Sequence, residues 1–292
     1  MPPQAPRLPA DAVASAVERI VRFRGQTIVV KLGGSAMEEP AATRACLQSI
    51  ATLHHLRIPI VLVHGGGKPI DRAMAEAGLT PRKVAGRRYT DEQTLSIVVR
   101  VLKDEINAAL VEHLHALGCA AVAAGESLLG EPLTLPGADG IPIDLGRVGR
   151  VTQVDRASLS RQLDDGLLPV IPSLARDGSA PEGGWLNVNA DTAASAVAGA
   201  LQASRAIFLT DTPGVLRDRR DPQSLLASLS EHECRALIAS GVIDGGMTPK
   251  VEACFEALAA GAAAALILDG RVPFSLLDVF LHDSFTGTAI SR

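Results

Sequence analysis

Thr27-Ile28-Val29-Val30-Lys31-Leu32-Gly33-Gly34-Ser35 decides how this chain is read. A β-branched run ends in a lysine and then a pair of glycines. The run predicts a buried parallel strand. The glycines let backbone N–H groups approach an anion where the strand turns toward a helix. Ile60-Val61-Leu62-Val63-His64-Gly65-Gly66-Gly67 repeats the design. Either glycine turn alone could be no more than a tight strand-to-helix connection. Two of them, with a lysine that is costly to bury unless it faces an anion, suit a site that handles phosphoryl groups.

Composition agrees with that frame. Of 292 residues, 47% are hydrophobic but only 3% are aromatic, so the core must be built from Ala, Val, Leu and Ile. Such a core fits an α/β protein with a parallel sheet and Ala-rich helices. The net charge is −4. No basic, aromatic-interleaved stripe advertises nucleic acid as a partner. Cys46, Cys119, Cys234 and Cys254 are widely spaced in apolar segments and form no C-x-x-C pair, as expected of reduced core thiols in a cytoplasmic protein. His113 and His115 lie two apart, a poor spacing for a shared metal on a helix, and no metal site is expected. No stretch reads as a secretory leader or a membrane span.

Strand and helix patterns alternate along the chain. Residues 11–24 carry Val13, Val17, Ile20 and Val21 at helical spacing, ahead of the first strand. Helices are expected near 41–57 and 68–78. A long one is expected from Asp91 to about Leu117, with Thr90 as its N-cap. Residues 118–152 suggest hairpins over a sheet edge. Further strands are read at 168–172, 206–210 and 264–268, and helices at 190–202, 224–240 and 248–261. Right-handed crossovers would put ligands at the strand C-termini.

Four further stretches carry chemistry. In Asp244-Gly245-Gly246-Met247-Thr248-Pro249-Lys250 a glycine loop enters a helix, whose dipole favours anions near Lys250. In Leu186-Asn187-Val188-Asn189-Ala190-Asp191, Asn187 and Asn189 share a side and Asp191 falls in a first helical turn. There Asn189 or Asp191 could simply be a cap. Gly86-Arg87-Arg88-Tyr89-Thr90 offers guanidinium groups suited to a carboxylate, or only a solvated basic turn. Leu209-Thr210-Asp211-Thr212-Pro213-Gly214-Val215 is a strand end that suits a nucleotide, or an ordinary Pro-Gly turn. The phosphate loop G-x-x-x-x-G-K-[ST] and the protein-kinase catalytic loop are both absent.

Taken in order, these motifs resemble the N-acetyl-L-glutamate kinases, a branch of the amino acid kinase family. The matches run from Arg22-Phe23-Arg24-Gly25 to Gly287-Thr288. They include Asp144-Leu145-Gly146 and Asp269-Gly270-Arg271 and span roughly nine-tenths of the chain. The resemblance implies a three-layer α/β/α sandwich around a mainly parallel open sheet of about eight strands, with an extra N-terminal helix. It implies an extension over 1–26, an acyl-amino-acid-binding and dimerisation lobe over 27–182, and a nucleotide-binding lobe over 183–292. The implied reaction phosphorylates the side-chain carboxylate of N-acetylglutamate, with ATP and Mg²⁺, in arginine biosynthesis.

The same resemblance implies residue roles. Lys31 and Lys250 would be catalytic and Asp191 would hold both. Gly33, Gly34 and Gly66 would donate N–H groups to phosphate. Gly66, Gly67, Arg88 and Asn187 would bind the acyl amino acid. Thr210, Asp211, Gly214, Val215, Met247 and Lys250 would surround the nucleotide. The partners implied are small-molecule substrates and further copies of the chain, at least a dimer, and a hexamer if N-terminal helices join dimers.

This chain departs from the resemblance at Arg19, Phe274 and Val279, where a tyrosine, a histidine and a glutamate are usual. Those replacements predict weak or no inhibition by arginine. Gly125-Glu126-Ser127 departs too, with no clear effect on the core reaction. Two alternatives stand beside the main reading. A kinase for N-acetyl-2-aminoadipate differs by one methylene, about 1–3 kcal/mol of discrimination. A non-catalytic amino-acid sensor would be favoured by loss of a lysine or of Asp191, and all three are present.

Overall fold

A computed structural model describes residues 9–33, 36–137, 140–180, 183–282 and 284–292. Eight strands form the central sheet: β1 (Ile28–Leu32), β2 (Ile60–His64), β3 (Ala121–Ala123), β4 (Leu168–Pro172), β5 (Arg205–Thr210), β6 (Ser228–Ser230), β7 (Ala265–Asp269) and β8 (Thr288–Ser291). Their spatial order is β6-β8-β7-β5-β1-β2-β4-β3. All neighbours are parallel except β7 and β8. This is the mainly parallel sheet of about eight strands that the resemblance implied.

Register explains why chemistry collects at one edge. Lys31 lies level with Val63 of β2 and Phe208 of β5, His64 with Pro172 of β4, and Thr210 with Asp269 of β7. Strands β1 and β2 therefore end side by side, with Gly33 and Gly65 at their exits.

Helices cover both faces. The helices are α1 (Ala10–Val21), α2 (Pro40–His55), α3 (Gly67–Glu76), α4 (Glu92–Val99), α5 (Ala108–Ala116), α6 (Arg156–Asp164), α7 (Ala190–Ala200), α8 (Glu231–Ala239), α9 (Thr248–Ala260) and α10 (Ser275–Leu281). Strand alternation splits the core in two. Val29, Val61, Val63 and Phe208 pack with residues of α7 and α9. Ile28, Val30, Ile60, Leu62, Ile207 and Leu209 pack with residues of α2, α5 and α10. The α7–α9 seam is close because its residues are small. A Cβ on Gly199 would collide with Ala260, and the Ser195 hydroxyl lies 2.7 Å from the carbonyl oxygen of Ala253.

A smaller sheet sits beside the main one. Leu128–Pro132, Val148–Val154, Leu174–Asp177 and Trp185–Val188 close on themselves as a four-stranded ring. The hairpin expected within 118–152 forms one side of it. Leu174–Asp177 and Trp185–Val188, consecutive in the chain, pair antiparallel. The other two pairings, of Leu174–Asp177 with Leu128–Pro132 and of Trp185–Val188 with Val148–Val154, link strands far apart in sequence, a relation with no local sequence signal.

Four readings need correction. The long helix starts one residue later than expected: Asp91, not Thr90, is the N-cap, accepting the N–H of Thr94 at 2.8 Å. Thr90 is instead bridged to Gly146. Between α4 and α5 the backbone is π-helical over Arg100–Asn107. The helix expected over 224–240 begins only at Glu231, where Ser230 and Glu233 form a capping box; the preceding residues make β6. Finally, Val13, Val17, Ile20 and Val21, read together at one helical spacing, differ in burial. Ile20 is buried, Phe23 meets Phe280 of α10 edge-on at 5.0 Å, and the three valines are exposed. Phe274, at the start of α10, has φ +63° and is half exposed, whereas Val279 is buried. The four cysteines are all buried and unpaired, as expected. Among the described residues no helix is long and apolar enough to cross a membrane.

Candidate active site

Lys31 leaves β1 on the same face as Val29, toward α7, and is 6% exposed. Asp191, in the first turn of α7, meets it with Oδ1 2.6 Å from Nζ. Lys250, in the first turn of α9, approaches the other oxygen, Oδ2, at 3.7 Å. Capping and charge pairing fall to different residues. Asn189 Oδ1 accepts the N–H groups of Asp191 and Thr192 at 2.8 and 3.2 Å, which frees the Asp191 carboxylate for the lysines. Burial on its own would raise the Asp191 carboxyl. The charges of Lys31 and Lys250, with their hydrogen bonds, outweigh burial and hold it below its ordinary value. One carboxylate between two ammonium groups leaves a net positive charge at the edge of the sheet.

Two cavities meet there. One, of about 810 Å³, includes Asp211, Gly214, Val215, Met247 and Lys250 in its wall. The other, of about 260 Å³, includes Lys31, Gly66, Gly67, Arg88, Asn187 and Asp191. The second cavity is polar and small. The first is larger and mainly apolar.

The expected residues distribute as follows. Arg88 faces the smaller cavity but is not free: it pairs with Asp71 at 2.6 Å and donates to the carbonyl oxygen of Gly67 at 3.0 Å. Asn187 donates to the Thr90 hydroxyl at 3.0 Å. Gly33 lies against the Lys31 ammonium, which would stand 3.1 Å from an added Cβ. Gly34 lies outside the described residues. Thr210 is buried rather than part of the larger cavity's wall, and its hydroxyl donates to Asp211 at 3.1 Å. Burial tends to raise the Asp211 carboxyl, but hydrogen bonds and the Lys250 and Arg271 charges carry it below its ordinary value.

Sequence reasoning assigned no role to several residues here. Asp71 holds Arg88. Asp269 and Arg271 form a two-pronged pair at 2.9 and 2.7 Å in the wall of the larger cavity. Arg219 reaches the same wall and pairs with Asp244. Arg271 had a signal, since it follows an aspartate and a glycine at a strand end. Asp71 and Arg219 had none beyond ordinary surface charge.

The family model described as the amino acid kinase family matches residues 26–269. A protein named acetylglutamate kinase from Synechococcus sp. (strain RCC307) is 41% identical over 97% of this chain and 94% of its own length. Another of that name, from Pelotomaculum thermopropionicum, is 38% identical over 97% and 98%. Among solved structures, N-acetylglutamate synthase from Neisseria gonorrhoeae, complexed with coenzyme A and N-acetyl-glutamate, superposes with a TM-score of 0.83 at 27% identity. The match covers 98% of this chain but spans only 64% of that longer one. Carbamate kinase from Giardia lamblia, bound to AMP-PNP, superposes with a TM-score of 0.67 at 18% identity, over 91% of this chain and 98% of its own, a likeness of fold alone. By its family match and its full-length relatives, the chain belongs to the amino acid kinase family, among the acetylglutamate kinases.

Proposed function

We infer that the chain transfers the terminal phosphoryl group of ATP to the side-chain carboxylate of N-acetyl-L-glutamate, giving N-acetyl-L-glutamyl 5-phosphate in arginine biosynthesis. The observation that carries the reading is the Lys31–Asp191–Lys250 cluster where the two cavities meet. The larger cavity, lined entirely by residues after 183, takes the nucleotide. The smaller, lined by residues 31–191, takes the acyl amino acid. The larger cavity's lining fits a nucleotide lobe over 183–292, while the smaller cavity, besides residues of 27–182, takes Asn187–Asp191 from that second span and so lies between the two proposed lobes.

The chemistry asks little beyond charge and alignment. A carboxylate with a pKa of about 4.3 is already a nucleophile at neutral pH, so no general base is required. Bringing two anions together is the difficulty. Lys31 and Lys250 offset the charge that redistributes as the phosphoryl group moves, and Asp191 keeps their ammonium groups aimed. The N-terminus of α3 opens at Gly67, which lines the smaller cavity beside Gly65 and Gly66, and a helix N-terminus favours an anion there. Arg88 and Asn187 orient the acceptor. Mg²⁺, bound with the nucleotide, supplies charge neutralisation between phosphates. Among the described residues no three His, Cys, Asp or Glu side chains converge as a metal cage. Asp211 and Asp269, both in the wall of the larger cavity, are the carboxylates that would stand near a nucleotide-bound ion.

A coupled ADP-release assay tests the reading. N-acetylglutamate should support turnover well above glutamate and N-acetyl-2-aminoadipate. Lys31→Ala and Lys250→Ala should each mainly lower kcat, by an amount equivalent to roughly 2.7–4 kcal/mol. Normal turnover by either folded variant would remove that lysine from the mechanism. Preference for the longer homologue would reassign the substrate.

A further inference from the structure

The glycine turn after β2 is held from behind by two buried polar side chains. His64 is fully buried and Asn107 is 2% exposed. The His64 Nδ1 lies 3.1 Å from the carbonyl oxygen of Gly65, and its Nε2 lies 3.1 Å from Asn107 Nδ2. The same amide nitrogen reaches the carbonyl oxygen of Val170 at 3.0 Å, which identifies it as the donor. Only one neutral tautomer satisfies both contacts. Nε2 must accept from Asn107, and Nδ1–H must donate to Gly65.

That donation has a geometric result. The Gly65 carbonyl and the Gly66 N–H belong to one planar trans peptide, so they point in opposite directions. A peptide between two glycines rotates more freely than any other because neither neighbour has a Cβ. Tying the Gly65 oxygen back to His64 turns the Gly66 N–H away from the imidazole, and Gly66 lines the smaller cavity. The π-helical stretch brings the tie into place. Asn107 is its last residue, and Leu102 and Ile106 of the same stretch press on Gly66, where an added Cβ would lie 2.7 and 2.6 Å from their tips. Extra-residue turns of this kind recur where a helix serves a site.

We propose that His64 and Asn107 are positioning residues for the phosphoryl transfer: Asn107 fixes the imidazole tautomer, and His64 locks the Gly65–Gly66 peptide so that the Gly66 N–H faces the reacting anions. The proposal rests on the reading of the smaller cavity as the acceptor site.

Paired substitutions separate this role from packing. In His64→Asn the amide nitrogen takes the place of Nδ1 and can still donate to Gly65. In His64→Gln the amide reaches the place of Nε2 and cannot. His64→Gln should lower kcat with N-acetylglutamate by about 100-fold, the scale of a misplaced reacting group, with the KM for ATP unchanged. His64→Asn should keep kcat near the parent value. Equal kcat in the two variants, both lowered or both intact, would overturn the proposal. The tautomer is read independently of activity and of either variant's folding, from the ring ¹⁵N shifts of His64 in the unsubstituted chain. A protonated Nδ1 and a bare Nε2 are required; the reverse would also overturn it. Lys31→Ala serves as the reference. If it is inactive while His64→Gln is intact, this inference alone fails. If Lys31→Ala is itself fully active, the reading of the site fails.

Discussion

Arg88, proposed to bind the acyl amino acid, is held in place by the protein itself. Its guanidinium already spans Asp71 and the Gly67 carbonyl, so the β-strand pair that carries it is tied to α3 at the rim of the smaller cavity. On the proposed reading, a substrate carboxylate would meet a group whose rotamer freedom has already been spent. Arg88→Ala should raise the KM for N-acetylglutamate with a smaller effect on kcat; an unchanged KM would take Arg88 out of the substrate site. His64 answers to pH in a different way. Burial pushes its imidazole down to about 4, against the hydrogen bond with Gly65. An unfolded histidine takes up its proton near 6.5. Between those values the unfolded chain binds more protons, so stability is full above about 6.5 and falls as pH drops toward 4, by up to about 3 kcal/mol. Denaturant midpoints at pH 7 and 5 should differ less in His64→Asn than in the parent chain. An identical slope would mean that His64 is not buried neutral.

At the scale of elements, α7 and α9 matter because each presents a charged residue from its first turn. Their seam admits no side chain at Gly199, and the atoms in the way are the Cβ and backbone of Ala260, not a flexible tip. Gly199→Val should cost about 1–3 kcal/mol and lower Tm, since the helices must part to accept it. An unchanged Tm would show that the seam is looser than described. Legibility in the sequence follows the same division. Strands β1 and β2, their glycine turns and the α7 start were readable because run, turn and cap lie within a few residues of one another. The π-helical stretch was not. Its extra residue per turn answers to packing on Gly66, about forty residues earlier in the chain, and nothing in Arg100–Asn107 announces it. The closure of the ring was hidden for the same reason: Leu174–Asp177 pairs with Leu128–Pro132 across an intervening strand, α6 and β4. Asn189 and Asp191 were legible as candidate caps, but only the folded chain separates cap from counter-ion.

For the whole molecule, assembly is the open variable, and we propose a dimer through the first lobe that α1 joins into a hexamer. Helix α1 is anchored on α10 through Ile20, with Phe23 just beyond it against Phe280, while Val13, Val17 and Val21 remain in solvent. A helix this short is marginal without a surface to cover, and a second copy of the same stripe provides one. Deleting residues 1–24 should convert hexamers into active dimers in light scattering, because none of the proposed catalytic groups is removed. A dimeric full-length chain would show that α1 serves its own subunit alone. Charge across the whole molecule gives the Lys31–Asp191–Lys250 cluster one more meaning. The chain as a whole carries −4, yet the junction of its cavities is positive. Salt screens such a local excess within a Debye length of about 8 Å. On the proposed reading, an anionic substrate would feel the two lysines only within about that distance, so the cluster would act on substrates already at the mouth of the site rather than steer distant ones toward it.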